Sequence, residues 1–186
     1  NAKITATDLN ESQIKRINRE NNKICNGTDR VQLDKKSFEK HLNHISLPGK
    51  NYFSYIRPNG YDYIDHHTAR AHQLSDIKLF SLMKEGETAG EFYARCPKKA
   101  SKLIKYDMNS FLDKYRKQRW NSVCTTVFAH LEKDGNRFIH PTQARTITPR
   151  EAARIQSFPD DFIFAGPVSK KFRQIGNAVP PLLSKA

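Results

Sequence analysis

The sequence is short of negative charge. Its 186 residues carry 19 Asp and Glu against 32 Lys and Arg, a formal net charge of +13 with a pI near 9.8. A deficit of this size points to polyanionic partners, nucleic acid first and an anionic membrane surface second. Long apolar runs are missing too. No stretch is long enough to cross a bilayer and no signal peptide opens the chain, so a membrane partner has only charge in its favour and is not expected. Cysteine is scarce: Cys25, Cys96 and Cys124 are odd in number and widely spaced, which excludes a disulfide framework and a zinc pattern and fits reduced thiols in a cytosolic setting. Three of the seven histidines, His66, His67 and His72, cluster in sequence but have no cysteine or carboxylate at ligand spacing, so no metal is expected. There is no internal repeat, no low-complexity linker and no initiator Met ahead of Asn1, which suggests a piece of a longer protein.

What is present suffices for a core of modest size: 37% apolar and 10% aromatic residues. The length suits one large domain or one and a half small ones. Residues 8 to 24 read as a helix with Asp8 and Glu11 at its start and a stripe of Ile14, Ile17 and Ile24. A Gly-containing turn over 26–30 and a short helix from Ser37 to Leu42 follow. Tyr52 to Arg57 and Tyr61 to Ile64 flank Pro58-Asn59-Gly60, which predicts a β-hairpin. Its aromatics suit cross-strand packing, or stacking on exposed bases. Ser75 reads as the cap of a helix burying Ile77, Leu79, Phe80, Leu82 and Met83 and ending near Gly86.

From Arg95 to Arg119 nine basic residues face only Asp107 and Asp113, a net +7 and over half of the chain's excess. Met108, Phe111, Leu112 and Tyr115 recur there at helical spacing, so one side of that helix is core and its flanks are available to phosphate. Val123 to His130 reads as a strand, residues 132–136 as a turn and Arg137 to His140 as the returning strand.

The final forty residues carry the densest signal. Thr148 is an N-cap with Glu151 three residues on, a capping box, and Pro149 occupies the first helical position. Ala152, Ala153 and Ile155 form a slim apolar face and Pro159 ends the helix. Asp160 and Asp161 read as turn or cap residues. Arg150 and Arg154 share one side of the helix, open equally to phosphate or to salt-bridge partners.

The wording from Arg145 to Phe162 closely resembles motif IX of the cytosine-5 DNA methyltransferases. The later Gln174-Ile175-Gly176-Asn177-Ala178-Val179-Pro180-Pro181 resembles their motif X. Weaker likeness begins near residue 65, where His67, Arg70 and His72 match a His-x-x-Arg-x-His segment, and is densest from about residue 126.

The resemblance implies a fold of the α+β class: a target recognition domain of short strands or hairpins, helices and irregular loops over 1–143. Residues 144–186 would then be a C-terminal helical piece of an incomplete Rossmann-like methyltransferase domain. It implies S-adenosylmethionine as cofactor, with Gly176, Asn177, Ala178 and Val179 beside its methionine end, and a further helix starting at Pro180-Pro181. Motif IX would mainly organise the recognition domain. Duplex DNA is the implied partner, contacted by Arg119, Asn121, Thr125, Thr126, Arg145, Lys170, Lys171 and Arg173. Arg to guanine and Asn to adenine are the geometrically favoured base contacts, and Thr125-Thr126 resembles the Thr-containing pair of a recognition loop in the family.

The family attacks cytosine C6 with a thiolate from a Pro-Cys dipeptide, holds the extruded base with Glu-Asn-Val and seats its cofactor on a Gly-rich loop. None of these words occurs here, nor does the Gln-x-Arg-x-Arg strand. The expectation is the C-terminal part of a bacterial enzyme from a restriction–modification system or an orphan, cytoplasmic and nucleoid-associated, inactive until an N-terminal catalytic half joins it. An exposed apolar seam is expected at Ile175, Val179, Leu182 and Leu183. A natural small subunit of a split methyltransferase, a non-catalytic DNA-binding module and, on charge alone, an RNA-binding protein are the alternatives.

Overall fold

The structure, a computed structural model, describes residues 30–32, 49–58, 63–105 and 114–185. They fold into two compact units that interleave along the chain. The first comprises residues 69–105, 114–126 and 133–147; the second comprises 30–32, 49–58, 63–68, 127–132 and 148–185. The α+β class holds in its coarse form: helices dominate, with few strands among the described residues.

In the first unit, α2 (Leu74–Leu82) buries Ile77, Leu79 and Phe80. Helix α3 (Ala89–Arg95) starts at a capping box, in which the Thr88 hydroxyl accepts from the Glu91 amide and the Glu91 carboxylate accepts from the Thr88 amide. Helix α4 (Pro97–Leu103) follows at once with Pro97 at its first position. Their inner faces close over a core of Leu79, Phe80, Met83, Ala89, Phe92, Ala100, Ile104, Tyr115 and Ile139. Full burial of Phe80 or Phe92 contributes roughly 1.5–3 kcal/mol. Three isolated backbone bridges, Thr88 with Arg116, Lys117 with Ile139 and Ile139 with Thr146, fasten the irregular segments to this core.

In the second unit, α1 (Gly49–Ile56) lies in the chain between the two strands of a small antiparallel pair, β1 (Arg30–Gln32) and β2 (Tyr63–Asp65), in which Val31 is paired with Ile64. Helix α5 (Pro149–Ile155) opens on the Thr148–Glu151 capping box with Pro149 at its first turn. It ends in a Schellman turn: Ser157 adopts a left-handed φ of +60°, its amide donates to the Arg154 carbonyl, and the Phe158 amide donates to the Ala153 carbonyl. Helix α6 (Val168–Asn177) buries Lys171, Phe172 and Ile175 and packs against the 3-10 turn Ala129–Glu132. Phe158, Phe162 and Phe164 cluster with ring centroids 4.8 to 5.1 Å apart.

Several expectations are corrected. Tyr52 to Ile56 is helix, not the first strand of a hairpin. Tyr52 and Tyr55 are half-buried, Ile56 is buried and Ser54 is exposed, so the stripe follows helical spacing. Tyr63 and Ile64 do form a strand, but its partner is β1. No strand pair forms between Val123 and His140. Those residues run as extended loop, a 3-10 turn at Ala129–Glu132 and another at Gly135–Arg137, because Ile139 is already bridged by Lys117 and Thr146. The cap of α2 is Gln73 rather than Ser75, without a side-chain bond. Helix α2 stops at Met83, and Gly86, with φ of +80°, serves the following turn. The Schellman turn ends α5 before Pro159, and Ile155 points to solvent. After Pro181, among the described residues, only a 3-10 turn forms, Leu183–Lys185. The helices expected at 8–24 and 37–42, residues 26–29 of the expected turn, the Asn59-Gly60 turn, and Met108, Phe111 and Leu112 lie outside the described residues, while Arg30, the last residue of that turn, opens β1.

Candidate nucleic-acid interface and cofactor strip

In the first unit, Arg119, Trp120, Asn121, Ser122 and Val123 are all exposed, Val123 almost completely. The loop they form is held at both ends. The Trp120 amide donates to the Glu85 carboxylate, and the Trp120 ring lies 6.1 Å from that of His140. Arg119 lies across Gly86, whose missing side chain makes room for the guanidinium stem. At the base, the buried Gln118 amide reaches Cys124, Thr125 and the Arg137 carbonyl. Thr125 is therefore half-buried and engaged, while Thr126 is exposed. Burial pushes the Cys124 thiol up, against weaker opposition from its bonds with Thr125, so it stays protonated and is no activated nucleophile.

The basic stretch divides by role. Lys98, Lys99, Lys102 and Lys105 are exposed on and just after α4. Lys117 is buried instead, and its ammonium donates to the carbonyls of Phe80 (2.8 Å) and Met83 (3.1 Å) at the C-terminal end of α2. Burial pulls its pKa down, against Glu85 and Glu87. It satisfies helix-end carbonyls and favours the negative pole of the helix. Arg95 grips the Glu87 carboxylate through two bonds of 2.7 and 2.8 Å and donates to the Leu82 carbonyl. Burial of Glu87 raises its pKa, but the bonds from Arg95 and the Lys84 amide prevail and hold it below the ordinary value.

Arg145, expected to reach phosphate, is 1% exposed, with its guanidinium donating to Gln143 and to the Thr146 carbonyl. His72 accepts from the Thr146 amide in the same unit. Burial, then Arg70 and Arg145, lower its pKa to about 4.

In the second unit, the two motif IX arginines have internal partners. Arg150 is fully buried and donates to the carbonyls of Asp65 (2.9 Å), Pro159 (2.9 Å) and Phe162 (2.8 Å). Arg154 makes a two-pronged pair with the buried Asp160 carboxylate at 2.8 and 2.6 Å, which gives Asp160 a role beyond turn-making. His66 accepts from the Phe164 amide, and His67 bonds with the Thr148 hydroxyl, so neither ring is spare.

On α6, Lys170 and Arg173 are exposed, whereas Lys171 is buried. Gly176 is the close-approach residue, but what approaches is backbone of the same unit. A Cβ there would sit 2.8 Å from the Phe128 carbonyl oxygen and 3.1 Å from that of Ala129. Asn177 and Val179 are exposed and Ala178 half-buried. Of the expected apolar seam, Val179, Leu182 and Leu183 are exposed, whereas Ile175 is fully buried. The Leu182 amide is tied to the Ser157 hydroxyl at 3.1 Å.

A family model described as C-5 cytosine-specific DNA methylase matches residues 4–186. The chain belongs to this family. It is 51% identical over 111 residues to the type II methyltransferase M.AgeI of Thalassovita gelatinovora, covering 60% of the chain and 24% of that protein. It is 40% identical over 124 residues to the type II methyltransferase M.Bpa9945I of Bacillus paralicheniformis, covering 63% of the chain and 27% of that protein. DNA (cytosine-5)-methyltransferase 1 of Mus musculus is 40% identical over 80 residues, 42% of the chain and 5% of that protein. The chain thus spans about a quarter of the first two relatives. Among the described residues no helix is long and apolar enough to cross a membrane.

The structural roles of Gln118, Lys117, Gly86 and Glu87 within this family member escaped sequence reasoning. Only Gly86 left a signal, and it read as a helix stop. The others became legible when distant carbonyls and carboxylates were seen beside them.

Proposed function

We propose that these residues are the C-terminal part of a DNA (cytosine-5-)-methyltransferase, with duplex DNA as substrate. Residues 1–143 supply target recognition and 144–186 return to the catalytic domain, even though 30–32, 49–58, 63–68 and Val127–Glu132 pack in the unit of the motif segment and 144–147 pack in the other. The observation that carries this reading is the motif pair itself. Motif IX stands as a capped, internally cross-linked helix, and motif X ends in an outward strip of Asn177, Ala178 and Val179 beside the apolar Leu182 and Leu183.

DNA contact falls to the outward residues: Arg119 and Asn121 to base edges, Thr126 with the engaged Thr125 at the loop's end, and Lys170 and Arg173 to phosphate. Arg145 and Lys171 leave that set, because burial withholds their charge from a backbone phosphate. S-adenosylmethionine, the methyl donor of the family, supplies an electrophilic methyl group when bound. An exposed amide at Asn177 with small apolar neighbours suits its methionine end, and Gly176 holds that strip in place by docking α6 on the turn at Phe128. The thiolate and the base pocket come from an N-terminal half.

The test is methyl transfer to duplex DNA from a labelled donor. The 186-residue chain alone gives none, and mixing it with a chain carrying the N-terminal motifs restores transfer. Turnover by the chain alone overturns the reading.

A further inference from the structure

We infer that Gln118 is a positioning residue for sequence discrimination, a clamp that holds the loop Arg119–Val123 in the one shape that reads base edges. The inference rests on the DNA reading above and deepens it. Gln118 is 7% exposed, and its backbone is fixed because its amide donates to the Ile139 carbonyl. Its side chain returns across the loop mouth. Nε2 donates to the Arg137 carbonyl (2.8 Å) and the Thr125 hydroxyl (3.2 Å). Oε1 accepts from the Thr125 amide and the Cys124 thiol, both at 3.3 Å. A glutamine amide has two donors and two lone pairs. All four are used, and three of the bonds join residue 118 to residues 124 and 125. Five consecutive exposed residues therefore leave and re-enter the core beside one side-chain amide, which closes the loop mouth, while the Glu85 bond to the Trp120 amide ties the loop farther in.

The Arg119 stem lies across Gly86 and the Trp120 amide is tied to Glu85, but Asn121 and Ser122 are exposed and Val123 is 96% exposed, so the tip has no burial to fix it. Base-edge hydrogen bonds demand placement within a few tenths of an ångström, whereas phosphate attraction tolerates a moving loop. Loss of the clamp should therefore spare non-specific DNA affinity and erode preference. The chemistry also requires an amide: a carboxylate at 118 keeps the volume but has no donor for the Arg137 carbonyl.

The single tryptophan of the chain lies inside this loop, so Trp120 fluorescence reports its order directly. Wild type, Gln118→Ala and the isosteric Gln118→Glu are compared by Trp120 anisotropy and acrylamide quenching. Each is then titrated with the duplex that wild type selects from a library with a randomised centre, and with a scrambled duplex. Both variants are expected to raise quenching at least twofold. Both should lower the ratio of selected to scrambled affinity about tenfold, with scrambled affinity and its salt slope unchanged. Gln118→Glu guards against a folding failure of Gln118→Ala. Wild-type quenching with wild-type preference in the glutamate variant overturns the clamp. A wild-type chain that selects no duplex overturns the DNA reading and this inference together, whereas a uniform loss of affinity for both duplexes overturns this inference alone.

Discussion

Arg150 is the position where an electrostatic role and a scaffolding role give opposite outcomes. Its guanidinium is fully buried, donates to three carbonyls at 2.8 to 2.9 Å and lies 5.9 Å from the centre of the Phe164 ring. Those carbonyls belong to β2 and to the turn after α5, so one side chain ties three segments of the second unit. Arg150→Met keeps most of the volume and removes every donor. Each buried carbonyl left without its partner costs about 1–3 kcal/mol. Water entry and local relaxation recover part of that, so the expected total is about 3–5 kcal/mol, a large share of the roughly 5–15 kcal/mol that stabilises a domain. Arg150→Lys, with a point charge that cannot span three acceptors, is expected to lose about 2 kcal/mol. Urea unfolding followed by far-ultraviolet circular dichroism measures both. In parallel, the salt dependence of duplex binding should keep its slope, because a buried cation releases no counterion. A stability loss under about 1 kcal/mol, or a slope reduced by about one ion, refutes the scaffold assignment.

Three further outcomes are expected. Gly176→Ala places a methyl group 2.8 Å from the Phe128 carbonyl oxygen, so it should destabilise the chain by about 1–3 kcal/mol in urea with no cofactor present, which a purely cofactor-facing glycine would not do. His72 holds its pKa near 4 in the folded chain against 6.5 unperturbed, so the unfolded chain binds the extra proton between those values. Stability should therefore fall as pH drops from about 6.5 to 4, by at most about 3 kcal/mol, and His72→Gln should flatten that slope in unfolding titrations. Lys117→Met should lose about 1–3 kcal/mol of stability and leave the DNA salt slope intact, whereas Lys170→Ala or Arg173→Ala should each lower the slope by about one ion and leave unfolding unchanged.

Local grammar made part of the fold legible. Thr148, Pro149 and Glu151 announce α5 because a capping box and an N1 proline act within one turn. The same grammar stands at Thr88–Glu91 and at Pro97, yet the surrounding charge drew attention to phosphate and hid α3 and α4. Tyr52 to Ile64 misled for a different reason. Aromatic residues either side of Asn-Gly fit a hairpin, but the 52, 55, 56 spacing fits a helix equally well, and the partner of β2 comes from residue 30 onward, which no local rule reaches. Among site residues, the loop after Gln118 could be found because Arg, Trp and Asn fall together. The inward turn of Arg145, Lys117 and Lys171 could not, since a cation's direction is set by carbonyls and packing brought from elsewhere.

The same contrast bears on why the motif words are so particular. Within motif IX, Thr148 caps, Arg150 binds three carbonyls, Arg154 grips Asp160, and Ser157 takes a left-handed φ and receives the Leu182 amide. Within motif X, Gly176 lets α6 lie against the Phe128 turn, and Ile175 is buried. These residue types are fixed by partners inside one unit, before any ligand arrives. After Gly176, the exposed Asn177 and Val179 and the half-buried Ala178 are left with outward surface to offer. A motif built this way spends most of its letters on stiffness, and stiffness is what a short exposed strip needs if three residues are to meet a small molecule without paying conformational entropy at each encounter. Substitutions across the motif should accordingly divide in two: many that unfold the unit in the absence of any ligand, and a few at 177–179 that leave it folded and change only what it holds.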